Sequence, residues 1–151
     1  MRNIHFTEDE IEQVLDCVVA VLNLGNIGFG LIEVKGGDYA ASPSAETKDY
    51  LITAQKLLQI NLKTLVHSMT KKKTVINNEV IETKLDLDSA YQARDALAKF
   101  IYGNLFTWIV KKINAAISTN KPKTSSKQKI LNFIGLLDIF GFEIFQTNSF
   151  E

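Results

Sequence analysis

Cysteine, histidine and net charge are all scarce in this sequence. Its 151 residues hold one cysteine and two histidines, and seventeen basic residues balance seventeen acidic ones. One cysteine excludes an internal disulfide framework and fits a reducing, cytosolic compartment. Such a short supply of Cys and His leaves neither a metal cluster nor a Ser-His-Asp arrangement to assemble. The even charge balance offers no electrostatic case for nucleic acid or an anionic membrane. No apolar run approaches the roughly 18 residues that a membrane-spanning helix requires. The polar opening Met1-Arg2-Asn3 lacks the apolar core of a secretory signal. Also missing is any Gly-x-x-x-x-Gly-Lys-Ser/Thr run, and with it a loop to cradle phosphates and a lysine for the β and γ phosphates, so this chain alone is expected not to hydrolyse a nucleotide.

What is present is a 46% hydrophobic composition, enough for one globular domain with a buried core. Thr7 with Glu10 spells a capping box, and Phe6 with Ile11 a hydrophobic staple. Ile11, Val14, Leu15, Val18 and Leu22 repeat at helical spacing, while Cys17, Val21 and Leu24 add a second apolar face, which predicts a helix buried on most sides. Cys17 reads there as a small packed hydrophobe. Gly25 is the expected left-handed stop. Ile27, Phe29 and Leu31 alternate with glycines before Gly36-Gly37-Asp38, predicting one short, bulged strand. A second helix is expected from Ser44, with Tyr50, Leu51, Ala54, Leu57 and Leu58 on one stripe. Asn61 caps a third, which turns Leu62, Leu65, Val66 and Met69 inward and leaves His67 as a surface or capping residue.

Thr74-Val75-Ile76 and Val80-Ile81 flank Asn77-Asn78, a pair that tolerates the positive φ of a tight turn, so a projecting β-hairpin follows. Asp88 or Ser89 caps the longest helix, about residues 90–117, whose apolar residues spread round more than half its circumference and predict an enclosed element. Ser118 to Lys129, with Pro122 inside, is a solvated connection. Ile130 to Ile139 is nearly continuous apolar sequence, as expected of a strand covered on both faces. Gly141 breaks it, and Asn148 with Glu151 opens another capping box.

One constellation has chemical character. Asp138-Ile139-Phe140-Gly141-Phe142-Glu143 places an acid at the end of a buried strand, then a glycine turn, then a second acid. Ligands of open α/β sheets bind at the carboxyl ends of strands. An acid there can hold waters around magnesium, and a glycine lets a backbone N–H approach a phosphate oxygen. An ordinary turn after a strand, with Asp138 as a cap and Glu143 solvated, satisfies the same spacing.

Leu137-Asp138-Ile139-Phe140-Gly141-Phe142-Glu143-Ile144-Phe145 followed by Asn148-Ser149-Phe150-Glu151 strongly resembles switch II and the start of the relay helix in the myosin motor domain. Two further blocks agree in order and spacing. One is Ala93-Arg94-Asp95-Ala96-Leu97-Ala98-Lys99, continuing through Ile101-Tyr102, Leu105-Phe106, Trp108-Ile109-Val110 and Ile113-Asn114. The other runs from Phe6-Thr7 through Leu22-Asn23-Leu24-Gly25-Asn26-Ile27 to Phe29. The resemblance implies an internal fragment of a myosin head, in which Asp138 lies beside magnesium and its waters. It also implies that Gly141 donates its N–H to the γ-phosphate of ATP and that Glu143 pairs with a switch I arginine absent from this chain. Residues 70–85 resemble the hairpin known as the cardiomyopathy loop, which in this family touches actin, so Lys71, Lys72 and Lys73 are candidates for an acidic actin surface; a solvated charge run is the bland alternative. Light chains or calmodulin would bind a lever outside the chain, and the location implied is the cytoplasmic cytoskeleton.

The expected fold is mostly α with a small β component, α+β: the hairpin at 70–85, the long helix at 90–117, and the switch II strand, loop and relay-helix start at 130–151. Cut from its sheet, Ile130 to Phe142 is expected to be disordered, to pack back on the helices, or to self-associate through its open edges. Two rival readings stay open: a GTPase-like protein using Asp138 to Gly141, and a helical interaction domain with no nucleotide role.

Overall fold

The structure is a computed structural model that describes residues 1, 5–34, 37–77, 79–117 and 134–135. Met1–Thr119 forms one unit. Of a second, Asn120–Glu151, only residues 134 and 135 are described, neither in a helix or strand. Apart from these two residues, the expected strand, glycine turn and helix start at 130–151 lie outside the described residues.

Helix α1 spans Glu8–Gly25 and starts as its sequence dictates. The Thr7 hydroxyl accepts from the Glu10 N–H at 3.2 Å, and the Glu10 carboxylate accepts from the Thr7 N–H at 3.0 Å. Two of the N–H groups left free at a helix start are thereby satisfied. Its end differs from expectation: Gly25 does not take a positive φ, and the capping residue is Asn26 in right-handed geometry, its N–H bonded to Asn23 and Leu24 carbonyls. The chain then needs no left-handed residue to leave the helix.

In place of one bulged strand there is a regular hairpin. Strands β1 (Phe29–Glu33) and β2 (Tyr39–Pro43) pair antiparallel from Phe29 opposite Pro43 to Glu33 opposite Tyr39, without an extra residue. Gly37, at φ +83°, serves the turn. Thr47 fastens the far end of this hairpin, its hydroxyl accepting from the Gly28 N–H at 2.9 Å. A short 3-10 turn, Ala45–Thr47, capped by Ser44, leads into α2 (Lys48–Leu57). Helix α2 ends on Gln59 at φ 53°, with the Ile60 N–H donating to the Gln55 carbonyl and the Gln59 N–H to the Lys56 carbonyl. That is a Schellman motif with glutamine where glycine is usual, which is why no stop is visible in the sequence. Helix α3 (Leu62–Thr70) is capped by Asn61 as predicted, the Asn61 side-chain Oδ1 accepting from the Lys63 N–H at 2.9 Å.

Strands β3 (Lys71–Ile76) and β4 (Glu79–Lys84) form the second hairpin, and Asn77 takes φ 49° at its turn. Its base is stitched to the rest by Leu85. The Leu85 N–H donates to the Thr70 carbonyl, and the Leu85 carbonyl accepts from the Ala41 N–H, both at 2.9 Å. Helix α4 then runs Leu87–Ile117. It starts three residues before the expected position, because Asp86, not Asp88 or Ser89, is the cap: its carboxylate accepts from the Ser89 N–H at 2.7 Å. That contact, followed by one from the Ser89 side chain, holds the Asp86 carboxyl below its usual range. With the folded pKa below the unfolded value of about 3.9, the stabilisation is complete above the unfolded value and is lost as pH falls through the folded one. Asp86→Ala is expected to lower the thermal midpoint at pH 7, and the gap from the parent chain to narrow toward pH 3. A gap constant across that range would rule out the charged cap.

The core gathers Leu24, Ile27, Phe29, Ala41, Leu51, Ala54, Leu65, Met69 and Ala90. It draws on every helix and on the β1–β2 hairpin, and leaves β3–β4 outside. The fold is mostly helical with two small antiparallel sheets, as the sequence predicts. Two expectations of enclosure are corrected. Leu15, Val19 and Leu22 of α1 are exposed, as are Phe100, Tyr102, Phe106 and Trp108 of α4. Each helix is apolar on more sides than the described residues can cover.

Candidate functional site

The β3–β4 hairpin carries the three lysines singled out by sequence, and strand alternation separates them. Lys71 and Lys73 share a face and both reach Glu82, at 3.2 and 3.3 Å. Hydrogen bonds from Lys71 and then Lys73 hold the Glu82 carboxyl below its usual range. Lys72 stands opposite Thr83 on the other face, exposed. The lysine run is therefore split two and one.

Lys71 is also paired in register with Lys84. Like charges directly across an antiparallel pair repel, and Glu82, two residues from Lys84 on the same face, offsets this. Toward the tip the same face carries Val75 opposite Val80, exposed by 67% and 63%. At the base, a recess of about 420 Å³ is bordered by Thr64, His67, Ser68, Lys71 and Lys73. A second, of about 190 Å³, brings His67, Thr70, Lys71 and Lys84 together beside β2. His67 is an exposed surface residue, as expected, but one set among three lysines. Glu82 and Lys84 escaped the sequence reading; counting alternate residues outward from Asn77-Asn78 would have put both on the Lys71 face.

A different cluster fixes α4 against the core. Arg94 donates to the Ile27 carbonyl at 2.9 Å and to the Asp95 carboxylate, and its guanidinium lies over the Tyr91 ring at 4.9 Å. Tyr91 meets the Phe29 ring edge-on at 5.2 Å, and its hydroxyl accepts from the Phe29 N–H at 3.2 Å. Farther along α4, Lys112 pairs with Glu10 at 2.5 Å and lies near the rings of Phe6 and Trp108, which pack edge-on at 5.7 Å. The Lys112 contact is the main reason the Glu10 carboxyl sits below its usual range. The two sequence blocks met in the first and longest helices are thus joined in space by side chains that do packing work. Cys17, half-buried, lines an apolar groove of about 510 Å³ between α1 and α4 with Val14, Phe100, Ile101, Leu105 and Trp108.

Asp138, Gly141 and Glu143 lie outside the described residues. Among the described residues no group of three or more His, Cys, Asp or Glu is placed to hold a metal, and no helix is long and apolar enough to cross a membrane.

The described residues form a helical α+β body with a charged hairpin set off from its core. The chain belongs to the myosin head (motor domain) family, whose model matches residues 1–151. It is 40% identical over 148 residues to unconventional myosin-Ic of Rattus norvegicus, covering 98% of this chain and 14% of that protein. To unconventional myosin-VIIb of Mus musculus it is 40% identical over 151 residues, covering 100% of this chain and 7% of the relative. With Myosin-9 of Arabidopsis thaliana the identity is 39% over 151 residues, covering 100% and 9%. The chain thus spans about a seventh or less of the length of these relatives.

Proposed function

We propose that this segment works inside an actin-based, ATP-driven motor, where Asp138 to Glu143 sense the γ-phosphate of ATP and the β3–β4 hairpin contacts the filament. The observation that carries the reading is the family match across residues 1–151, taken with the acid-glycine-acid sequence after an apolar stretch. Magnesium-bound ATP supplies the cleavable phosphate and the counter-charge. Asp138 suits a role through the metal's waters, because magnesium prefers oxygen donors and keeps part of its hydration shell beside phosphates. Gly141 offers an N–H unshielded by a side chain. Glu143 is assigned to an arginine contributed from elsewhere in the motor. Gain or loss of one phosphate then biases a two-state loop, and the helix that follows carries the change outward.

Lysines of this hairpin supply positive charge for an acidic filament surface. The parent motor is assigned to the cytoplasmic cytoskeleton, with light chains or calmodulin bound to a lever outside this segment. An isolated copy is expected to be catalytically inert, and Ile130 to Phe142, cut from its sheet, to be disordered, to pack back on the helices or to self-associate.

The test is a calorimetric titration of magnesium and ATP into the 151-residue chain. With no phosphate-cradling loop in its sequence, affinity is expected to be no tighter than about 1 mM, some −4 kcal/mol. Micromolar binding would overturn the fragment reading in favour of a self-contained nucleotide site.

A further inference from the structure

The two faces of the β3–β4 hairpin differ in charge. One carries Lys71, Lys73 and Lys84 against a single acid, Glu82, and ends in the Val75–Val80 pair. The other carries Lys72 and Glu79, one charge of each sign, and Ile81, which is less exposed than the valine pair. The first face also runs down into the recesses that His67 borders on α3.

We infer that the hairpin docks through the Lys71, Lys73, Lys84 face, with Val75 and Val80 seated on an apolar patch of an acidic protein surface, and that Lys72 takes no part. The inference rests on the filament contact proposed above and names the face and residues that make it. Net positive charge on one face only steers an acidic partner to that face. The valine pair supplies what charge does not. Two side chains about two-thirds exposed at a tip gain from leaving water, and an apolar centre ringed by charges is the usual anatomy of a docking surface. Glu82 holds Lys71 and Lys73 in place on that face, where free lysines would sweep a wide volume. Lys84 is the added cation that sequence did not single out.

The experiment uses the whole motor domain that carries this segment and measures co-sedimentation with actin filaments at low salt. Lys84→Glu is expected to weaken binding about tenfold. Val75→Ser together with Val80→Ser is expected to weaken it to a similar degree, about tenfold, with less dependence on salt. Lys72→Glu should stay within about twofold of the parent. These positions are exposed, so unchanged thermal midpoints verify that each variant folds. A loss for Lys72→Glu equal to that for Lys84→Glu overturns the choice of face while leaving the filament contact standing. If Lys84→Glu abolishes binding to phosphatidylserine vesicles and spares filament binding, the partner is wrong. Replacement of residues 72–83 by a glycine turn with no change in filament affinity would remove the filament contact itself.

Discussion

Alanine at Gly141 is expected to slow ATP turnover by the parent motor about 100-fold or more, the scale set by removing one preorganised N–H donor from a developing charge. The expected effect is steric before it is electrostatic. A backbone N–H reaches a phosphate oxygen only where no side chain stands between them, and a methyl group at this position keeps the two apart or forces the turn open. Nucleotide affinity should fall much less, because Gly141 is assigned to the terminal phosphate and most of the nucleotide is held by parts of the motor outside this chain. The informative measurement pairs single-turnover hydrolysis with nucleotide binding, which separates loss of a transition-state contact from uniform loss of binding. Phe140→Leu, at the preceding position in the sequence, is the control and should turn over near the parent rate. Equal slowing in both variants would show that the turn tolerates no change at all, and Gly141 would lose its particular role. Normal turnover by Gly141→Ala would leave the phosphate without its assigned donor.

How far sequence reached into this fold depended on whether a feature is made by neighbours or by distant residues. Thr7 with Glu10, Asn61, and the turn at Asn77 are satisfied within three or four residues, and the structure has them where spacing put them. Gln59 escaped notice because its left-handed conformation is held by backbone bonds to Gln55 and Lys56, which need no distinctive side chain. Asp86 was passed over because three capping side chains crowd into four residues, and which one is used depends on where Leu85 is pinned between Thr70 and Ala41. Strand β2, Tyr39–Pro43, is alanine- and serine-bearing and lacks the branched residues that announce a strand. It is a strand because β1 lies beside it. The hairpin lysines show the same division. Their presence is plain in the sequence, whereas their separation onto two faces, with Glu82 and Lys84 beside Lys71, emerges only when the strands are paired outward from the turn.

Leu24→Ala is expected to destabilise the folded chain by about 3 kcal/mol, within the range measured for leucine truncation in packed cores. Leu24 is fully buried, and it meets a core drawn from all four helices and the first hairpin. The cavity left behind has rigid neighbours on every side and little scope to collapse. Leu22, two residues earlier on the same helix, is 63% exposed. Leu22→Ala should therefore change stability by no more than about 0.5 kcal/mol. Both variants alter helix propensity equally, so their difference isolates burial. Urea unfolding reads it directly, as a shift of the midpoint at constant slope, and a difference of about 2.5 kcal/mol corresponds to well over tenfold in the unfolding equilibrium. Similar costs for the two would mean that α1 is covered on both sides in solution, and that Leu15, Val19 and Leu22 have found a partner. Repeating the pair in the parent motor turns that outcome into a measurement. If the exposed apolar stripe of α1 faces another part of the head, Leu22→Ala becomes costly there and stays cheap in the isolated chain.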